Sequence, residues 1–106
     1  MLDLLIKNAR ICDGTGAPSF VGSLGVKDGV IQRVGAVNGQ TAERVVDADG
    51  LVLAPGFVDP HTHYDAQIAW DPLVTCSPWH GVTTVIMGNC GVGVAPVKPE
   101  TREILM

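Results

Sequence analysis

Two histidines separated by one residue, His61-Thr62-His63, and a cysteine set among glycines, Gly88-Asn89-Cys90-Gly91-Val92-Gly93, are the residues whose types and spacing could do chemistry together. Neutral imidazole and thiolate are the donors zinc prefers, and a His-x-His pair can take two neighbouring positions on one ion without helical geometry. A bare His-x-His also occurs as two surface loop histidines, and a free cysteine is more often a small buried apolar residue than a ligand. Context separates these readings. His61 and His63 follow the apolar stretch Phe57-Val58-Asp59. Because side chains alternate along an extended chain, both leave its end on one side, together with Asp59. Gly88, Gly91 and Gly93 mark a loop rather than packed interior, which leaves a thiol there accessible for coordination.

The elements that must position these groups are legible around them. Val82-Thr83-Thr84-Val85-Ile86-Met87 is a continuous run, largely β-branched, that reads as a buried parallel strand. About twenty residues separate it from Phe57-Asp59, enough for the crossover that parallel pairing requires. Ser77-Pro78 has the form of an N-cap followed by proline at the first helical position, and Gly81 can close a short helix after His80. Residues 56–88 are therefore predicted to form one βαβ unit. Its ligand candidates would lie at the carboxyl ends of the strands, where sites in parallel α/β sheets and barrels gather.

Upstream, Leu2-Cys12 and Phe20-Val37 alternate loosely between apolar and polar residues, broken by Asp13-Gly14, Gly22, Gly25 and Asp28-Gly29. Asp28-Gly29 predicts a two-residue hairpin turn between Leu24-Val26 and Val30-Val34, since both turn positions need positive φ. A third Asp-Gly, at 49–50, predicts that a third pair, Glu43-Asp47 and Leu51-Ala54, forms in the same way. The segment before residue 55 is expected to be a small antiparallel β unit. Pro99 to Met106 begins a helical pattern that stops after barely two turns, with no signal that closes it.

Composition narrows the function classes. A chain of 106 residues that is 46% hydrophobic and 17% charged is too apolar to stay disordered, and thirteen glycines with seven prolines favour short elements and tight turns. Its net charge of -4 and its scattered seven Lys and Arg residues give no reason to bind nucleic acid. No stretch has the length of a membrane span, and Met1-Lys7 has its acid before its apolar run and its base after it, the reverse of a secretory leader. A cytoplasmic protein is expected. Three widely spaced cysteines, Cys12, Cys76 and Cys90, argue against a disulfide framework.

Two strings carry a family resemblance. Ala54-Pro55-Gly56-Phe57-Val58-Asp59-Pro60-His61-Thr62-His63 closely resembles the metal-binding signature at the end of the first barrel strand in the amidohydrolase superfamily. Gly81 to Gly93 resembles the second barrel strand and following loop of the N-acyl-D-amino-acid deacylase (D-aminoacylase) group. There a cysteine thiolate takes the place of the carboxylated lysine or glutamate that bridges two metals in many other members. The resemblance implies an α/β protein in which residues 1–54 are part of a small antiparallel β domain. Residues 55–106 would then begin a metal-dependent (β/α)8 TIM barrel that is incomplete here.

It further implies one or two Zn²⁺ ions held by His61, His63 and Cys90. The substrate would be a small N-acyl amino acid, hydrolysed to a carboxylate and a D-amino acid. The family's remaining ligand histidines and its general-base aspartate are expected beyond Met106, so no catalytic base is assigned here and the chain alone is expected to be inactive. Around the ligands, Asp59 either orients a histidine or forms a turn before Pro60. Tyr64 and Asp65 either face substrate or, for Asp65, close the loop by a hydrogen bond. Asn89 adjoins Cys90 in the same setting. His80 is read as structural, Cys76, Trp70 and Trp79 as crossover packing, and Cys12 as strand packing. Hydantoinase and dihydroorotase share the His-x-His strand and form an alternative, against which Cys90 favours the deacylase group. An inactive fragment that at most binds metal, self-associating through exposed sheet edges, is the alternative outside enzymes.

Overall fold

A computed structural model describes residues 1–91 and 98–104. Val92 and Gly93 of the glycine-flanked string, and Leu105-Met106 of the terminal helical pattern, lie outside the described residues. The chain divides into two compact units, Met1–Pro55 and Gly56–Met106.

The first unit is one sheet built on β1 (Leu2–Ile11). β2 (Phe20–Lys27) pairs antiparallel with β1, and β3 (Val30–Gly35) pairs antiparallel with β2. The predicted turn between them forms as expected: Asp28 and Gly29 have φ of 52° and 73°, the signs that a right-twisting two-residue hairpin requires. Asp3 staples the start of β1 to this turn, accepting from Lys27 Nζ at 2.7 Å and from the Asp28 N–H.

On the other side of β1 the expectation of a third hairpin is overturned. β4 (Ala42–Asp47) and β5 (Val52–Leu53) do not pair with each other; both run parallel to β1, end to end, beside Leu2–Lys7 and Arg10–Ile11. The sheet is therefore mixed, with order β3-β2-β1-β4, rather than wholly antiparallel. The reason lies in β1, which carries a bulge between Ile6 and Ala9 where Asn8 takes a φ of 56°. Asn8 Nδ2 donates to both Asp47 carboxylate oxygens at 3.0 Å, and its carbonyl accepts from Gly50 N at 2.8 Å. Asp49-Gly50 still makes a tight turn, closed by Leu51 N to Ala48 O at 2.8 Å, but that turn steps the chain past the bulge instead of reversing it.

The Asp3–Lys27 pair gives this unit a pH signature. The Lys27 ammonium beside Asp3 holds that carboxyl below its ordinary value, with the Asp28 N–H adding to the effect, and Asp3 in turn raises Lys27. A lowered carboxyl contributes stability above about pH 4 that is lost as pH falls through the folded value; the raised Lys27 contributes below about pH 10 and loses it as pH rises. Asp3→Asn is accordingly expected to shrink the drop in thermal midpoint between pH 6 and pH 3, followed by circular dichroism. An unchanged drop would exclude Asp3 from the acid response.

The second unit is the predicted strand-crossover-strand. β6 (Phe57–Asp59) and β7 (Val82–Val85) pair parallel, joined through two single-turn helices, α1 (Tyr64–Gln67) and α2 (Cys76–Trp79). The helix cap differs from expectation: Thr75, not Ser77, caps α2, because Asp71 fixes the Thr75 N–H at 2.9 Å and its hydroxyl at 3.1 Å, starting the helix two residues earlier. His80 ends it as C-cap, followed by Gly81 at φ 81°. Near the end, Pro99–Ile104 forms a 3-10 helix.

The expected packing roles of three residues are also corrected. Cys12 is exposed, and Trp70 and Trp79 show 72% and 79% of their surfaces. Two short strands and two helical turns present too little apolar surface to cover the indoles; among the described residues of this unit only Thr62 and Tyr64 are buried.

Candidate metal centre

β6 ends at Asp59, whose carboxylate accepts from His61 N at 3.1 Å across Pro60. That is an Asx turn, and it bends the chain out of the strand. Asp59 therefore acts as the turn former, setting where His61 begins rather than touching its ring. Thr62 then points inward: it is buried, and its hydroxyl donates to Ile86 O at 2.8 Å just past β7. Asn89 Nδ2 donates to Pro60 O at 3.1 Å, and Ile86 N to Asp59 O at 2.9 Å. Three bonds thus sew the loop after β6 to the loop after β7, each contributing on the order of 1 kcal/mol.

With Thr62 turned in, the alternation of extended chain turns His61 and His63 out, their rings 6.1 Å apart between centroids. Cys90, half-buried in the second loop, faces them, with His63 Nε2 3.1 Å from Cys90 Sγ. The ligand atoms of His61, His63 and Cys90 all lie within 4.8 Å of one another. Donors about 2.0 to 2.3 Å from one tetrahedral zinc are roughly 3.3 to 3.9 Å apart. The set would therefore fit a zinc ion after a small adjustment. Two imidazoles and a thiol are also the donor chemistry that zinc takes.

The remaining candidates divide. Asp65, in the first turn of α1, lines a cavity of about 410 Å³ with His63, Ala66, Gln67, Trp70, Cys90 and Gly91. Tyr64 is buried, with its hydroxyl on Cys76 Sγ at 2.9 Å and on Ser77 Oγ, so it anchors the crossover instead of facing that cavity. The same contact holds the Cys76 thiol below its ordinary value, helped by Gln67. Asn89 is a loop staple. His80 stays at the end of α2, outside the three-residue group. Sequence reasoning passed over Thr62, although a small hydroxyl residue between two outward histidines has to point inward, and it passed over Gln67 as a cavity wall.

Comparison with known proteins gives the family. Residues 44–106 match the Amidohydrolase family. The chain is 41% identical over 107 residues to N-acyl-D-aspartate deacylase of Alcaligenes xylosoxydans xylosoxydans, covering 97% of this chain and 22% of that protein. Its structure matches N-acyl-D-glutamate deacylase from Bordetella bronchiseptica, complexed with zinc and a phosphonate mimic of the tetrahedral intermediate, with a TM-score of 0.79 and 40% identity over 91% of this chain and 21% of that one. It also matches a D-aminoacylase studied for the role of its binuclear metal centre, with a TM-score of 0.81 and 37% identity over 92% of this chain and 20% of that one. The chain spans about a fifth of the length of these relatives. With a family match that takes in both His61-Thr62-His63 and Cys90 and covers more than half of its residues, the chain belongs to the Amidohydrolase family.

Proposed function

We propose that this chain supplies the first metal-binding loops of a zinc-dependent N-acyl-D-amino-acid deacylase. The observation that carries this is the convergence of His61, His63 and Cys90 at the carboxyl ends of two parallel strands. Residues 1–54 belong to a small β domain in this reading, and residues 55–106 open a (β/α)8 barrel, where sites gather at that end of the strands. His61 and His63 coordinate through neutral imidazole nitrogens, and Cys90 coordinates as thiolate. Held there, zinc would polarise the amide carbonyl and lower the pKa of a bound water, the chemistry by which hydrolysis of an N-acyl amide gives a carboxylate and a free D-amino acid. Asp59, Thr62 and Asn89 keep the two loops at a fixed separation, which is what a shared metal site requires. The three free thiols suit a reducing cytoplasm.

The test is a segment exchange. The N-terminal region of the Alcaligenes N-acyl-D-aspartate deacylase that matches this chain is replaced by these 106 residues. The hybrid is expected to release free amino acid from N-acetyl-D-aspartate in a zinc-dependent way, to leave the L enantiomer and hydantoin intact, and to lose activity on Cys90→Ala. A folded, zinc-loaded hybrid that is inactive, or an active one indifferent to Cys90→Ala, counts against the proposal.

A further inference from the structure

We infer that Asp65 and Gly91 form a contact that holds Cys90 toward His63, which makes Asp65 a positioning residue; the role rests on the metal-binding reading above. Asp65 follows Tyr64, whose buried ring and hydroxyl contacts to Cys76 and Ser77 fix the start of α1. From that fixed point the Asp65 carboxylate reaches the backbone of the Cys90 loop. A β-carbon built on Gly91 would overlap Cγ and both carboxylate oxygens of Asp65. Asp65 Oδ1 is shielded from solvent at this contact.

Two glycines of the same loop separate conformational need from steric need. Gly88 has a φ of 86°, but a β-carbon there would meet nothing within 4 Å. Gly91, at φ 156°, is bare of side chain where the carboxylate sits. Gly88 is thus required by backbone conformation alone, Gly91 also by the approach of Asp65. Because Gly91 adjoins Cys90, a carboxylate lodged against it limits how the thiol can swing, and Sγ rests 3.1 Å from His63 Nε2. Asp65, His63 and Cys90 accordingly line one cavity.

The contact is tested on the purified chain by two readouts besides turnover. The first is the thiolate-to-cobalt absorption in a Co²⁺ titration. Asp65→Ala and Gly91→Ala are expected to weaken it about 10- to 100-fold, the range for groups that orient metal ligands, while Gly88→Ala, which adds backbone strain but no overlap with Asp65, weakens it less than Gly91→Ala. The second is alkylation of Cys90 in the metal-free chain, resolved from Cys12 and Cys76 by peptide mass. It is expected to quicken about tenfold in Asp65→Ala and Gly91→Ala and by less in Gly88→Ala. Asp65→Asn, which keeps the side-chain volume, should return both readouts toward the parent. If Asp65→Ala fails to fold by circular dichroism, the two glycine variants still decide. Equal behaviour of Gly88→Ala and Gly91→Ala, or an unchanged Cys90 rate in folded Asp65→Ala, overturns the inference. A parent with no thiolate-to-cobalt band would instead count against the metal-binding reading, and the alkylation rates would still report on the contact.

Discussion

Cys90→Ala is expected to weaken zinc binding by about 100- to 1000-fold, read by competition with a chelating dye. A four-ligand zinc site in a small domain is worth about 10 to 16 kcal/mol, so one ligand carries roughly 2.5 to 4 kcal/mol, and each 1.4 kcal/mol is a factor of ten. His61→Ala and His63→Ala should fall in the same range, because the ligand atoms of all three residues lie within 4.8 Å of one another. Two controls make the effect specific. Cys76→Ala removes an exposed thiol bonded to Tyr64, and His80→Ala removes an imidazole at the end of α2; neither belongs to the three-residue group, so both should bind as the parent does. Because coordination displaces protons from the ligands, parental affinity should also fall as the solution is acidified. Parental affinity in Cys90→Ala, or an equal loss in Cys76→Ala, would remove the thiolate from the site.

What was legible in the sequence was whatever short-range rules decide. Asp28-Gly29 makes its hairpin because positive φ at both positions is a local requirement and the strands it joins are also each other's partners. The placement of His61 and His63 on one side follows from the period of an extended chain. Phe57-Asp59 and Val82-Val85 pair parallel, and the residues between them are enough for the crossover that this pairing requires.

What was not legible depends on partners distant in sequence. Asp49-Gly50 has the same local form as Asp28-Gly29, yet its flanking strands bond to β1, since the bulge at Asn8 leaves Asp47 and Gly50 facing that residue. Ser77-Pro78 carried a cap signal that Asp71 preempted by binding Thr75. The indoles of Trp70 and Trp79 follow a third pattern: apolar composition says that a residue favours burial, but burial needs a facing surface, and the crossover of two helical turns does not supply one.

The 106 residues by themselves are expected to show no hydrolysis of N-acyl-D-amino acids beyond that of a His61→Ala, Cys90→Ala double variant. The site as it stands can hold metal, but holding metal is only part of the reaction. Among the described residues no carboxylate joins His61, His63 and Cys90 in the ligand group, and Asp65 is lodged against Gly91. A missing general base alone costs on the order of 10²- to 10⁴-fold. Three donors alone would fix poorly the position and acidity of a metal-bound water. The surroundings compound this: β6 and β7 form a two-stranded sheet, with Phe57 and Val58 exposed to 67% and 60%. An open pair of strands with apolar faces does not exclude water from the reacting centre, and it favours association between copies through its edges. The measurement is release of free amino acid from N-acetyl-D-methionine by the zinc-loaded chain beside the double variant, with oligomeric state followed by light scattering. Robust turnover by the parent that the double variant lacks would show that His61, His63 and Cys90 suffice for catalysis and that the base lies within these residues.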